Sequence, residues 1–232
     1  MSPCIILIET STSLCSTALL EGDRITAVRK STEPRAHAAL TAPFVKEMLD
    51  ERGLKVSDCD AVCLSMGPGS YTGLRVGSST AKGLCWGLNR PAIGVSTLAA
   101  MAQLGRGTAG ERVICCAMDA RRAQIYNALF EEKDGALRRL CPDRAVAAGE
   151  LAAGLLSLER EVWVLGDGWE VCAGALAAAG VPHTVAPEAI RYQSAWGVAL
   201  EALDKPALGA EELLPIYLRL SQAERERQSK MV

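Results

Sequence analysis

Apolar runs closed by an acid occur twice in the chain, each followed by a short polar turn and further strand-like segments. Residues 4–8 are apolar and end at Glu9, and the hydroxyl-rich turn Thr10-Ser11-Thr12-Ser13 comes next. Strand-like segments at 14–20 and 25–29 succeed it, separated by Glu21-Gly22-Asp23-Arg24. β-rich runs broken by short Gly/Asp turns predict hairpins. From residue 113 the pattern returns: VICCAM is closed by Asp119, a polar turn spans 120–122, and strands are predicted at 124–130 and 136–140 around Lys133-Asp134-Gly135.

The segments after each hairpin are also alike. In the first half the periodicity predicts a helix at 37–52, a strand at 61–65, a helix at 73–88, a strand at 92–95 and a helix at 97–104. In the second it predicts a helix at 147–157, a strand at 162–166, a helix at 169–179, a short strand at 183–186 and a helix at 194–203. Both halves read βββαβαβα, an antiparallel start leading into crossovers that require parallel pairing. The flexible stretch GRGTAG (105–110) divides them. The expected organisation is an N-terminal lobe at 1–105 and a C-terminal lobe at 106–232, with room for the tail to return to the first lobe. This is the order of a ribonuclease-H-like lobe, and two in tandem resemble the actin-like ATPase and sugar-kinase superfamily. In that superfamily an acid ending each lobe's first strand faces the cleft and holds metal–phosphate, and the positions here are Glu9 and Asp119.

Composition narrows the function. With 232 residues, 49% hydrophobic and 22% charged, the chain has the make-up of a folded α/β protein and not of a disordered one. A net charge of −2 without any Lys/Arg block gives no general attraction for nucleic acid, so RNA would be reached through another protein. No apolar run approaches the roughly 20 residues of a membrane span, and Met-Ser-Pro-Cys lacks the basic start of a secretory signal, which predicts a cytoplasmic protein. Nine cysteines without a C-x-x-C pair sit mostly in apolar segments, as reduced, buried hydrophobes do. The two histidines, His37 and His183, are too far apart to suggest zinc. The tail at 221–230 alternates in charge and reads either as a solvated end or as a partner contact.

Residues 65–84, SMGPGSYTGLRVGSSTAKGL, invite comparison with phosphate loops. Lys82 precedes Gly83 instead of following it, so G-x-x-x-x-G-K-[ST] fails, and Thr72 breaks G-x-G-x-x-G. Ser70 or Thr72 suits an N-cap, and backbone N–H groups beside Gly67 and Gly69 could attract an anion. Inside the helix, Gly73, Gly77 and Ala81 recur every four residues, as do Gly83 and Gly87. Helical glycine costs about 1 kcal/mol relative to alanine, which implies a compensating close approach. Packing within its own lobe, a helix–helix subunit interface and a phosphate role all remain open. In the preceding helix Leu40, Phe44 and Met48 form one apolar stripe, Ala38, Ala42, Val45 and Leu49 a second, and Thr41 before Pro43 suggests a capped start.

ILIETSTSLCSTAL, GPGSYTGLRVGSSTAKGL, MDARRAQIYNALF and LLPIYLRL, in this order over essentially the whole chain, resemble the TsaB (YeaZ) family, accessory subunits of bacterial tRNA threonylcarbamoyladenosine synthesis. The resemblance implies the two-lobe actin-like fold and a scaffold that performs no transfer chemistry itself. It implies pairing with the catalytic subunit TsaD, recruitment of the ATPase TsaE, access to tRNA only through that complex, and a homodimer in isolation. The shared surface would come from the first two helices, here His37, Leu40, Phe44, Met48, Gly73, Gly77 and Ala81. TsaD holds metal through an H-x-x-x-H helix, and the local counterpart, His37-Ala-Ala-Leu-Thr41, lacks the second ligand. Glu9 stands where nucleotide-using relatives carry aspartate, and Asp119-Ala-Arg lacks their Asp-x-Gly-Gly turn. Gly166-Asp167-Gly168 reads as the remnant of an adenosine loop or as a simple turn. The implied cofactor requirement is none, with weak ATP or ADP binding left to Glu9, Thr10, Gly67, Gly69 and Asp119. The alternative is an active kinase or ATPase using Glu9 and Asp119 for Mg–nucleotide. A peptidase finds no support, since no Ser/His/Asp or Cys/His arrangement is present.

Overall fold

β1 (Cys4–Glu9) and β2 (Cys15–Glu21) form the first hairpin, Cys4 opposite Glu21 and Glu9 opposite Ser16. β3 (Arg24–Ser31) extends it, with a register shift at Leu19/Leu20. After α1 (Ala36–Glu51), β4 (Ala61–Gly67) joins β1 in parallel. After α2 (Tyr71–Leu88), β5 (Ala92–Ser96) joins β4. The sheet order is β3-β2-β1-β4-β5. These elements belong to a computed structural model that describes residues 3–203 and 205–219; the charged stretch 221–230 lies outside the described residues.

α3 (Thr97–Gly105) leads to a second sheet of the same design. β6 (Val113–Asp119), β7 (Gln124–Lys133) and β8 (Ala136–Arg139) run antiparallel; β10 (Val162–Leu165) joins β6 in parallel, and β11 (His183–Val185) joins β10. The order β8-β7-β6-β10-β11 repeats that of the first lobe. Two ribonuclease-H-like lobes in tandem give the actin-like architecture. Three helices accompany this sheet in the chain: α4 (Ala148–Leu156), α5 (Trp169–Ala178) and the one-turn α6 (Glu188–Arg191). β9 (Arg144–Ala147) pairs with the far half of β7, Gln124 opposite Ala147. β9 and α6 are additions to the βββαβαβα plan, each only four residues long, too short to show a period.

α1 and α2 cover one face of the first sheet, where Ile6, Ile8, Leu64, Val45 and Met48 share a core. α4 and α5 cover the second, over Val113, Cys115, Ile125, Leu155 and Leu176. The inner faces are exchanged. α3 follows β5, yet its Leu98, Met101 and Leu104 pack with Ile114, Cys116 and Trp163 of the second sheet. α7 (Ala195–Ala202) follows the second sheet, yet its Val198 and Ala199 pack with Leu7, Cys63 and Val95 of the first. The two helices cross where a Cβ on Gly197 would overlap the Ala100 carbonyl oxygen, so glycine permits the contact.

α1 corrects one expectation. It begins at Ala36, after Arg35 in the left-handed region (φ 66°), and Pro43 lies inside it. Thr41 is no cap: its hydroxyl donates back to the His37 carbonyl at 2.6 Å. Eight cysteines are buried and Cys141 half-buried, all with free thiols. Burial pushes the Cys59 thiol up to about 12 and Cys63 higher still. Among the described residues no helix is long and apolar enough to cross a membrane.

Candidate functional site: the inter-lobe cleft and the outer helix face

The end of β1 turns inward. Glu9 is fully buried, accepting from the Ser11 N–H at 2.6 Å and from the Ser65 hydroxyl on β4. Burial raises its pKa, the Ser11 and Ser65 hydrogen bonds oppose that shift, and the charge of Asp167 across the cleft adds to it. Thr10, also buried, donates its hydroxyl to the Gly73 carbonyl at 2.8 Å.

The glycines of the GPGSYTG stretch are shaped around this turn. A Cβ on Gly69 would overlap the Ser11 carbonyl oxygen, one on Gly73 the Thr10 carbonyl oxygen, and one on Gly77 the Thr10 hydroxyl. Ser70 is the N-cap, its hydroxyl accepting from the Gly73 N–H at 3.3 Å, and its own N–H donates to the Ser11 carbonyl at 2.6 Å. The ridge of Gly73, Gly77 and Ala81 therefore receives the chain's own β1–β2 turn and core and is not open to another helix; Ala81 is fully buried. Gly83 and Gly87 differ: apart from the helix's own backbone, nothing lies within 4 Å of a Cβ there, and Trp86 between them is 66% exposed. On α1, His37, Leu40 and Phe44 are half-buried, whereas Met48 is inside, its sulfur 3.8 Å from the Thr17 hydroxyl.

Across the cleft, Asp119 ends β6. Its carboxylate accepts from the Arg121 N–H at 2.7 Å and pairs with the Arg121 guanidinium at 3.1 Å. Arg121, Arg122 and Ala123 all have left-handed backbones, with φ of 67°, 58° and 55°. The turn keeps a conformation that glycine would adopt without strain, at a cost of about 1–2 kcal/mol per residue. Asp167, on the loop after β10, accepts from the Asp119 N–H and from Gln193 Nε2, each at 3.4 Å, and burial raises its pKa. Gly166 and Gly168 flank it because a Cβ at either would overlap the backbone of Ala117 or Met118.

Between the two turns lies a cavity of about 780 Å³, bordered by Ser11, Gly69, Asp119, Arg121, Tyr217 and Arg219. A wider cavity of about 1680 Å³ opens beside it, past Lys30, Arg106, Tyr192 and Trp196. The smaller one matches a nucleotide in size, and it is bordered by both charges, Arg35, Arg121 and Arg219 with Glu33, Asp119 and Asp167. The two acids expected to hold a magnesium–nucleotide do not fit one: Glu9 is buried behind the cavity wall with both oxygens engaged inside the first lobe, and Asp119, which borders the cavity, is paired with Arg121. Among the described residues no three His, Cys, Asp or Glu side chains gather as metal ligands. Ser65, Gln193 and residues 216–219 were not among the cleft residues expected from the sequence. Ser65 carried a signal, a lone hydroxyl in the apolar run AVCLSM, and residues 216–219 fall within the LLPIYLRL motif, whereas Gln193 carried none.

Comparison with known proteins places this geometry. A family model described as TsaD: tRNA N6-adenosine threonylcarbamoyltransferase matches residues 30–224. The tRNA threonylcarbamoyladenosine biosynthesis protein TsaB of Bacillus subtilis is 32% identical over 224 residues, covering 95% of this chain and 96% of the relative. The protein of the same name from Escherichia coli is 33% identical over 167 residues, 72% of each chain. The solved structure of YeaZ from Pseudomonas aeruginosa superposes with a TM-score of 0.75 at 28% identity, covering 94% of this chain and all of that one. A two-lobe fold matched along its length by the solved YeaZ structure, together with these identities, makes the chain a member of the TsaB (YeaZ) family.

Proposed function

We propose that this chain is a non-catalytic activator subunit in tRNA N6-threonylcarbamoyladenosine synthesis, pairing with TsaD, which carries the transfer chemistry, and joined by TsaE. The observation that carries the reading is at His37 and Thr41. Where the catalytic relative needs a second imidazole one helical turn on, this chain has a buried threonine whose hydroxyl is bonded back to the His37 carbonyl. A lone imidazole makes a poor metal site. The engagement of Glu9 and Asp119 within the protein supports the same conclusion.

The partner surface is the outer face of α1 and α2, using His37, Leu40 and Phe44 together with the open ridge at Gly83, Trp86 and Gly87. Gly73, Gly77, Ala81 and Met48 support that face from beneath. The same face serves a homodimer when the chain is alone. The protein acts in the cytoplasm, reaches tRNA only through the complex and requires no cofactor. Size-exclusion chromatography with TsaD tests the surface: Gly83→Arg, placed in open space, abolishes the heterodimer without lowering the melting temperature. Unimpaired pairing by this variant would rule the surface out.

A second reading, a kinase or ATPase working through Glu9 and Asp119, draws on the cleft cavity and the left-handed turn at 121–123. Calorimetry with Mg–ATP separates the two. The activator reading expects weak binding at most and no turnover. Micromolar affinity with turnover lost in Glu9→Gln would favour the enzyme.

A further inference from the structure

We infer that residues 206–219 form a clasp that holds the two lobes together across the mouth of the cleft. After α7 the chain returns to the first lobe and is anchored there deeply. Leu208 exchanges both backbone hydrogen bonds with Ala92, at 2.8 and 3.0 Å, along the otherwise open edge of β5. Leu213 is fully buried in the core beneath α1 and α2.

Beyond Leu213 the hold becomes shallow and local. Leu214 is 63% exposed, Ile216 41% and Tyr217 38%. Ile216 donates its N–H to the Met66 carbonyl at 2.7 Å. Its own carbonyl lies over Gly67, where a Cβ would overlap it; Gly67, at φ 127°, is shaped by this segment. Tyr217 stacks on Tyr71 with ring centroids 4.5 Å apart, and its hydroxyl accepts from Arg75 Nε at 3.3 Å. The Arg75 guanidinium also covers the Tyr71 ring at 4.1 Å.

The last link crosses to the other lobe. The Arg219 guanidinium donates to the Ala120 carbonyl, at the start of the strained turn 121–123. Residues 216–219 thereby form one wall of the 780 Å³ cavity. Widening the cleft separates Arg219 from Ala120 or lifts Tyr217 off Tyr71. The deep anchor at Leu208 and Leu213 keeps the segment tethered when the shallow end lets go. Arg75 lies on the exposed side of α2, so a molecule docking there touches the residue that grips Tyr217, and the clasp links that surface to the cleft.

Hydrogen exchange read by mass spectrometry on the full-length protein tests this. Arg219→Ala and Tyr217→Ala are each expected to speed exchange about tenfold in peptides spanning 9–14 and 119–124, as loss of a hydrogen bond to a charged group implies. Peptides within 113–118 keep their protection, and Arg219→Lys restores part of the wild-type rate in the turns. Wild-type exchange at both turns in both variants would overturn the clasp. So would equal acceleration of every peptide, because that reports global destabilisation and not release of the cleft.

Discussion

Thr10 and Gly73 are locked together: the Thr10 hydroxyl donates to the Gly73 carbonyl at 2.8 Å, and the Thr10 carbonyl occupies the space where a Gly73 side chain would begin. The glycine spacing of α2 thus serves two purposes. Its inner glycines let the β1–β2 turn sit on the helix, and its outer glycines leave an open face.

Two alanine substitutions in the same helix should therefore act in opposite directions. Gly73→Ala overpacks the Thr10 contact and is expected to destabilise by about 1–3 kcal/mol. Gly83→Ala meets open space and is expected to stabilise by up to about 1 kcal/mol through helix propensity. Urea unfolding midpoints measure both. Equal effects of one sign would contradict the placement of the two glycines.

Glu9 gives a pH dependence whose sign follows from its burial. Its folded-state pKa is raised above the ordinary 4.5, so the folded protein holds this proton more tightly than the unfolded chain. The group's contribution is full below 4.5 and is lost as pH rises through the folded value. Asp167 shifts in the same direction. Glu9→Gln keeps an acceptor for the Ser11 N–H and faces Ser65 with an amide donor in place of the carboxylate acceptor, while removing the charge. It is expected to be more stable than wild type near pH 7–8 and to flatten the decline with pH. Thermal melts across pH 5–8 decide it, and a variant less stable than wild type at pH 8 would contradict the buried-carboxylate account.

Much of the fold could be read from the residues. The apolar runs ending at Glu9 and Asp119 and the helix–strand alternation after each located both sheets and their shared order. The exchange of α3 and α7 could not be read. Residues 97–102 of α3 are all buried, so no polar face marks which sheet the helix covers. The spacing of Gly73 and Gly77 called for a close neighbour, but that neighbour, Thr10, lies more than sixty positions earlier in the chain. The left-handed turn was hidden because Arg121-Arg122-Ala123 carries no turn residue; its conformation is imposed by the strands on either side and by Asp119 accepting from the Arg121 N–H.

The cysteines should behave as core residues. Burial raises Cys59 and Cys63 and disfavours their thiolates. A thiol-reactive dye is expected to modify the native protein at Cys141, the half-buried one, and to reach the others only on unfolding. Rapid native labelling of several cysteines would contradict the packing.

Leu213→Ala removes the deep anchor of the C-terminal segment. A fully buried leucine in the first core implies a loss of about 2–5 kcal/mol, measurable by urea denaturation. A change under about 0.5 kcal/mol, the level of an ordinary surface substitution, would show that the segment is not part of the core.

Whether this chain activates the synthesis of threonylcarbamoyladenosine without doing the chemistry is decided by reconstitution. The mixture holds TsaD, TsaE, tRNA, ATP and threonylcarbamoyl-AMP as the activated donor, with nucleoside mass spectrometry as the readout. The expected result is modification that depends on this chain, is lost with Gly83→Arg and persists with Glu9→Gln. Full modification in its absence, or modification abolished by Glu9→Gln in a protein that still folds and pairs with TsaD, would contradict the activator role.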